Sequence, residues 1–316
     1  MKRLFASIAA LALCASSAAA QDRLTVMLDW FVNPDHGPIV LAEELGYFAD
    51  AGLEVELVTP AGPNDPPRMA AAGRVDIAVS YQPELHLSRH NGLPLRRVGT
   101  LIETPLTCLV AMADGPVRSI PDLAGRKVGF AVAGVQEVLL DAMLAHHDMA
   151  PDAVEQINIG WSISPALMSG QVDAVIGAFR NFELNQMALE GHEGRCFYPE
   201  AEGVPSYDEL IYVANPDTMD AAVIARFLDA TERAGGFIVN NPEEAWRLFA
   251  ATDRELQTDL NARAWKDTWP RFALRPAALD AGRYTRFEAF LAARGVIEDR
   301  RAISELAVDV TAEATQ

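Results

Sequence analysis

Short strand-like runs alternate with short helical ones from near the start of this chain to about residue 214, and that alternation leaves few architectures open. Leu24, Val26, Leu28 and Trp30 recur at every second position, the period of a half-buried strand. A polar turn follows. An apolar helical pattern then runs over 39–48, stopped near Gly46 and Gly52. Residues 53–58 alternate again, and further strands read over 75–80 and 95–101, with short helices over 68–72 and 84–90. Strands separated by helices predict βαβ units and a largely parallel sheet. After an apolar run around 106–113 the pattern restarts. Strands read over 128–132, at Ile157 and Ile159, and over 172–177, with helices over 134–144, 165–169 and 184–190. Residues 207–214 give one more strand, and only helical patterns follow, over 221–238, 242–251, 254–265 and 276–294, with a tail from Ala302.

Helices without strands cannot build a third sheet, so they are expected to pack back on the first unit. The prediction is an α/β protein of two lobes. Residues 22–105 with 207–316 form a discontinuous first lobe, and 106–206 form the second. Two connecting strands, near 105–113 and 205–214, act as a hinge, and the cleft between the lobes is the default place for a small ligand.

The first twenty residues are unlike the rest. Lys2 and Arg3 precede an apolar stretch over 4–15, and Ser16, Ser17 and three alanines end in a small-x-small pattern before Gln21. This is the pattern of a cleavable secretory signal, cut near Ala20/Gln21 and too short to span a bilayer in the mature chain. A lipid anchor on Cys14 is the lesser alternative, because Leu13 is large where such signals want a small residue. No later stretch reaches the roughly eighteen apolar residues a span needs, so no membrane insertion of the mature chain is expected. Half the residues are hydrophobic, which supplies a sizeable core. The formal charge of −18 argues against nucleic acid and anionic membranes as partners. Only Cys108 and Cys196 remain after cleavage. Two cysteines are not a framework, and the expectation is two buried free thiols. No Cys/His spacing of a metal site occurs, so neither a metal nor another cofactor is expected.

Four loops should end at the cleft, each placing polar groups beside aromatics. The first is the turn after the opening strand, where Asp29, Trp30, Phe31, Asn33, Asp35 and His36 crowd together before Gly37 and Pro38. In open α/β sheets ligands bind at such carboxyl ends of strands. The second runs from Ser80 and Tyr81 to Glu84, after the third strand. The third leads through Gly134 into a helix, whose free N–H groups could hold an anionic or carbonyl group. The fourth holds Phe179, Arg180, Asn181, Phe182 and Glu183. The combination suits a flat heteroaromatic ligand, with rings stacking on Trp30, Tyr81 or Phe179 and carboxylates such as Glu84 or Glu183 accepting from amines or protonated ring nitrogens. The candidate ligand-binding set is Trp30, Asn33, His36, Ser80, Tyr81, Glu84, Gly134, Phe179 and Glu183. Other signals read as structure. His86 and His90 stand four apart without a third ligand, as on a surface helix, and His146-His147 sits beside a helix end. No P-loop, GxGxxG or nucleophile elbow is present.

Several of these pieces resemble one family. Leu28-Asp29-Trp30 with Asn33, His36 and Pro38 is the narrowest; Gly46-Tyr47-Phe48, Gly52-Leu53-Glu54-Val55 and Gly73-Arg74-Val75-Asp76 accompany it, as do Leu123-Ala124-Gly125-Arg126-Lys127 and Gly170-Gln171-Val172-Asp173. Together, over residues 24–215, they resemble the thiamine-pyrimidine family of the periplasmic binding-protein superfamily. The resemblance implies a two-lobe, type II-like fold and one of two activities. One is the receptor of an ABC importer that salvages formylaminopyrimidine or hydroxymethylpyrimidine precursors of thiamine. The other is a pyrimidine synthase that binds pyridoxal phosphate through a lysine and carries a histidine and a cysteine-rich motif. Ser80 stands at the lysine position and Glu84 at the histidine position, and no cysteine cluster exists. Serine cannot form the Schiff base. The expectation is therefore a periplasmic, non-enzymatic receptor that binds an aminopyrimidine, with an ABC permease as its partner. For such receptors the resemblance implies stacking by Trp30 and Tyr81 and hydrogen bonding by Glu183 or Glu84. The alternatives are a binder of a riboflavin-like, alkanesulfonate or nitrate-class solute, a diverged synthase, or a periplasmic sensor module.

Overall fold

The computed structural model describes residues 21–310, and the expected signal segment lies outside the described residues. Four strands come first: β1 Asp22–Met27, β2 Leu53–Val58, β3 Ile77–Ser80 and β4 Arg96–Ile102. Five follow: β5 Thr107–Met112, β6 Lys127–Phe130, β7 Glu155–Asn158, β8 Ala174–Phe179 and β9 Gly194–Phe197. The last is β10, Leu210–Ala214. They make two five-stranded sheets, ordered β2-β1-β3-β10-β4 and β7-β6-β8-β5-β9. In the first, β1 runs parallel to β2 and β3, and β10 lies antiparallel between β3 and β4. In the second, β6 is parallel to β7 and β8, and β5 lies antiparallel between β8 and β9. The strand in each sheet that arrives from the other sheet is thus the one that runs against its neighbours. The chain crosses between Ile102 and Thr107 and returns between Phe197 and Leu210.

Each sheet buries its own core. Leu24, Val26 and Leu28 pack with Ile39 and Leu41 of the helix Gly37–Glu44 and with Phe227 and Leu228 of the helix Ala221–Asn240. The latter helix is buried along one stripe, Val223, Phe227, Ala230, Ala234 and Ile238, as a 3.6-residue period requires. Asp220 starts it by accepting from the N–H groups of Ala222 and Val223. The second core joins Leu109, Val128 and Ile176 to Leu139, Leu140 and Met143 of the helix Val135–His146. Phe287 and Leu291 of the late helix Ala281–Ala293 belong to this second core, so the C-terminal region does not pack on the first sheet alone. That helix is anchored on its other side by a buried polar network. Arg97, fully buried, donates to the carbonyls of Pro276, Ala277 and Ala278 and to Thr100, while Asp208 accepts from Thr100 and Tyr284 and pairs with Arg283.

Two expectations need correction. Cys108 and Cys196 are not free thiols: they form a disulfide, with Cα atoms 5.8 Å apart. They lie on adjacent antiparallel strands, β5 and β9. The strand β9 carries no apolar alternation, so nothing in the sequence brought the two residues together. His86 does not face solvent either. It is fully buried and bonded through Nδ1 to Glu288 at 2.6 Å, with His90 on the same carboxylate at 3.2 Å. Burial pulls the His86 imidazole down against the raising effect of Glu288. No helix among the described residues is long and apolar enough to cross a membrane.

Candidate functional site

The opening strand ends with the Leu28 N–H on the Val58 carbonyl, and the chain then turns its polar groups inward. Asp29, nearly buried, accepts from Tyr81 Oη at 2.9 Å and bonds His36 Nε2 at 2.9 Å. His36 Nδ1 accepts from the Asn33 N–H at 3.3 Å, which places the ring proton on Nε2, toward Asp29. Asn33 caps the next turn, its Oδ1 accepting from the Asp35 N–H and its Nδ2 donating to the Phe31 carbonyl. Pro34 follows at the first helical position, where a missing N–H costs nothing. The turn is therefore rigid, and it holds Trp30 and Asp35 toward the second lobe.

Between the sheets lies a cavity of about 630 Å³, its mouth included. The first lobe contributes Asp29, Trp30, Asn33, Asp35, Tyr81 and Pro83; the second contributes Val135, Gln136, Ile163, Phe179, Phe182 and Glu183. Thr107, Tyr207 and Glu209 come from the two crossings. Contacts across the cleft are already made. Asn181 Nδ2 donates to Asp35 Oδ1 at 2.6 Å, Asn64 bonds both backbone groups of Ala133, and Trp161 meets Trp30 edge-on with ring centroids 4.1 Å apart. The lobes are closed on each other.

The charge balance of the cavity is one-sided. Asp29, Asp35, Glu183 and Glu209 line it, and no lysine or arginine does. Burial pushes the Asp35 carboxyl up to about 6, helped by Asp29 and opposed by His36 and by bonds from Asn181 and Thr268. Burial likewise pushes Glu183 and Glu209 up to about 7. Glu183 accepts from the Phe179 N–H at 2.6 Å. Glu209 ties the two crossings together, accepting from the N–H of Thr107 at 2.8 Å, from the N–H of Leu106 and from the Thr107 hydroxyl. Beside it Arg180 donates to the carbonyls of Leu106 and Thr107 and pairs with Glu200.

Of the expected residues, Trp30, Asn33, Tyr81, Phe179 and Glu183 line this cavity. His36 does not; it is fully buried behind Asp29. Ser80 and Glu84 line a tight crevice behind Tyr81 rather than the cavity, and burial pushes the Glu84 carboxyl up to about 7. The Gly134 loop is not the open donor site expected of it. Gln136 folds back so that its Oε1 accepts from the N–H groups of Ala131 and Val132, Asn64 faces the Ala133 N–H, and Glu137 takes the Gly134 N–H at 2.6 Å. Gly177 makes this possible: at φ +93° it lies under the Gln136 amide, where a Cβ would fall 2.0 Å from Nε2. Glu209 and Tyr207 were missed because 207–214 reads only as a strand, and Thr107 because 106–113 reads only as an apolar run. The adjacent acids Asp208 and Glu209 inside that apolar run were the available signal.

The sequence profile described as NMT1/THI5 like matches residues 33–245, well over half of the chain. The chain belongs to this family. It is 48% identical over 292 residues to a Haemophilus influenzae protein named "Putative thiamine biosynthesis protein", covering 92% of this chain and 93% of the other. It is 33% identical to the formylaminopyrimidine-binding protein of Halalkalibacterium halodurans, covering 80% of this chain and 78% of the other. A third relative, the 4-amino-5-hydroxymethyl-2-methylpyrimidine phosphate synthase of Legionella pneumophila, is 26% identical, covering 84% of this chain and 86% of the other. In fold the chain matches the alkanesulfonate-binding protein SsuA of Xanthomonas axonopodis, with TM-score 0.72, 16% identity and coverage of 92% and 99%. It also matches the ligand-binding component of an ABC-type import system from Staphylococcus aureus, with TM-score 0.71, 11% identity and coverage of 93% and 99%. The two sheets and their crossings are the α/β fold of periplasmic binding proteins.

Proposed function

We propose that this protein is the periplasmic receptor of an ABC importer and that it carries an aminopyrimidine precursor of thiamine without transforming it. One observation carries the reading: the cavity sets four carboxyl groups among aromatic faces and includes no cationic side chain. An aminopyrimidine supplies what such a lining lacks, namely exocyclic amine donors, a ring nitrogen that accepts a proton, and a flat face for Trp30, Tyr81 or Phe179. The family relative that binds formylaminopyrimidine supports this solute class.

Two rivals are disfavoured by the same residues. A sulfonate or nitrate needs donors, and the loop N–H groups at Ala131–Gly134 are already engaged within the protein. A synthase of the relatives' kind would hold pyridoxal phosphate through a lysine. The chain has three lysines, and of these Lys127 and Lys266 are exposed while Lys2 lies in the expected signal segment. None lines the cavity, so the residues present do not fit that cofactor. The test is titration with an aminopyrimidine, followed by tryptophan fluorescence and thermal melting. Saturable quenching and a raised melting temperature are expected. No response to that ligand, with a response to an alkanesulfonate, refutes the ligand class; a borohydride-fixed absorbance with pyridoxal phosphate refutes the receptor reading.

A further inference from the structure

Outside the cleft, one group of side chains has the composition of a metal site. Among the described residues, His146, His147 and Glu202 are the group of three whose ligand atoms all lie within 4.8 Å of one another. We propose that these three side chains form a binding site for a divalent transition metal of the zinc class, with water filling the remaining position.

The site is assembled by two pieces of backbone far apart in sequence. His146 ends the helix Val135–His146, and His147 follows as its cap. Glu202 closes the short turn Pro199–Ala201, 55 positions later than His147. Both pieces are fixed by the same core, because Leu144 and Val204 are buried in it beside them. The two imidazoles stand nearly perpendicular, at 87°, with ring centroids 5.2 Å apart, so neighbouring residues can aim nitrogens at one point. Gly203 lets the His146 ring rest on the turn. At φ +88° it has no Cβ, and one would fall 2.9 Å from Nδ1.

The donor set selects the ion. Two imidazoles and a carboxylate suit zinc, nickel and copper, while magnesium and calcium prefer oxygen shells. Zinc bonds of about 2.0–2.1 Å put neighbouring tetrahedral donors about 3.3 Å apart. His147 Nε2 and Glu202 Oε2 stand closer than that, at a hydrogen-bond distance of 2.6 Å. Both are partly exposed, so an ion can reach them. For an ion to bind at Nε2 the imidazole proton sits on Nδ1 instead, leaving the ring neutral, and small side-chain rotations open the pair to the required spacing. The other histidine cluster offers no such opening: His86 is fully buried, with both ring nitrogens bonded, to Glu288 and to Gln82. A metal at 146/147/202 would fasten the segment leading to the second crossing onto the helix whose first turns, Val135 to Leu139, line the cavity.

The experiment is calorimetric titration of the untagged, EDTA-stripped protein with Zn²⁺, Mg²⁺ and Ca²⁺ near neutral pH. One equivalent of Zn²⁺ should bind and raise the melting temperature, Mg²⁺ and Ca²⁺ should not, and Co²⁺ should show the visible absorption of a low-coordinate nitrogen–oxygen site. His147→Ala and Glu202→Gln should each weaken zinc at least tenfold, a loss of the size that perturbing a metal site brings, and leave the metal-free melting temperature within a degree or two. Absence of saturable zinc binding overturns the proposal. So does unchanged affinity in the double variant, which would put the ion elsewhere.

Discussion

Replacing Glu209 by glutamine should stabilise this protein at alkaline pH and leave it unchanged in acid. The side chain is 1% exposed, and burial pushes its carboxyl from an ordinary 4.5 up to about 7. Between those values the folded state holds a proton that the unfolded chain has released. Its contribution is fully present below about pH 4.5 and is lost as pH rises to about 7. At about 1.4 kcal/mol per pH unit, the loss above that range is roughly 3 kcal/mol. Glutamine keeps the shape and the bonds. Its carbonyl oxygen can take the N–H groups of Leu106 and Thr107 as Glu209 Oε2 does, and its amide can donate to the Thr107 hydroxyl, which now serves as acceptor. Glu209→Gln therefore mimics the protonated acid at every pH. The assay is denaturant unfolding of both chains at a series of pH values. The unfolding free energies should nearly coincide near pH 4.5 and differ by roughly 3 kcal/mol at pH 8, the variant being the more stable. A variant less stable at pH 8, or a difference that does not change with pH, refutes the claim that the crossings enclose a carboxylate at net cost.

Three further outcomes are expected. Trp30→Ala should cost aminopyrimidine binding roughly 10- to 100-fold by titration while moving the melting temperature little, since the ring is only partly buried; equal losses in both would make Trp30 core. Gly177→Ala should destabilise by about 2 kcal/mol or more, from the positive φ and the collision with Gln136, read as a lowered melting temperature; a neutral effect would mean the Gln136 amide is free to leave the Ala131–Val132 N–H groups. Reducing Cys108–Cys196, or replacing both with serine, should cost about 2–4 kcal/mol for a closure over 88 positions, whereas an unchanged unfolding midpoint with reductant would argue against the bond.

What could be read in the sequence follows a physical divide. Residues 53–58 alternate without interruption, and β2 has those same ends. The first strand stops three residues short of Trp30, because Asp29 leaves the sheet plane for Tyr81 and His36. The helix anticipated from 276 begins at 281, since the carbonyls of 276–278 are spent on the Arg97 guanidinium, a partner about 180 positions away. The edge strand β9, Gly-Arg-Cys-Phe, has too few apolar residues to show a period, and with it went the disulfide. In the site, the aromatics were legible because they stand where strands end, a local property. His36 and the Gly134 loop misled because their role depends on who satisfies them: Asp29 buries the one, and Gln136, Asn64 and Glu137 occupy the other.

The same bookkeeping of donors and acceptors bears on closure. Asp35 on one lobe and Glu183 on the other face the same cavity, and the charge of Asp35 makes Glu183 harder to ionise. Above about pH 7, closing the empty cleft brings like charges together in a site without cations. The contacts across it that favour closure include Asn181 to Asp35 and Thr268, Asn64 to Ala133, Asn185 to Asp267, and Trp161 with Trp30 and Phe31. On the proposed reading, a ligand that carries amine hydrogens or a proton into the cavity replaces that repulsion by attraction in the closed state only. That difference between states is what a ligand must supply to shift an open–closed equilibrium. An anion of the same size would add to the repulsion. The acids that make this pocket costly to close when empty therefore serve selection, and Glu183→Gln should close more readily without ligand while discriminating less sharply against anions. Small-angle scattering of the ligand-free protein, compared at pH 6 and pH 8, tests this: wild type should be the more open at pH 8, and Glu183→Gln should show a smaller change. Identical profiles for both chains at both pH values would refute it.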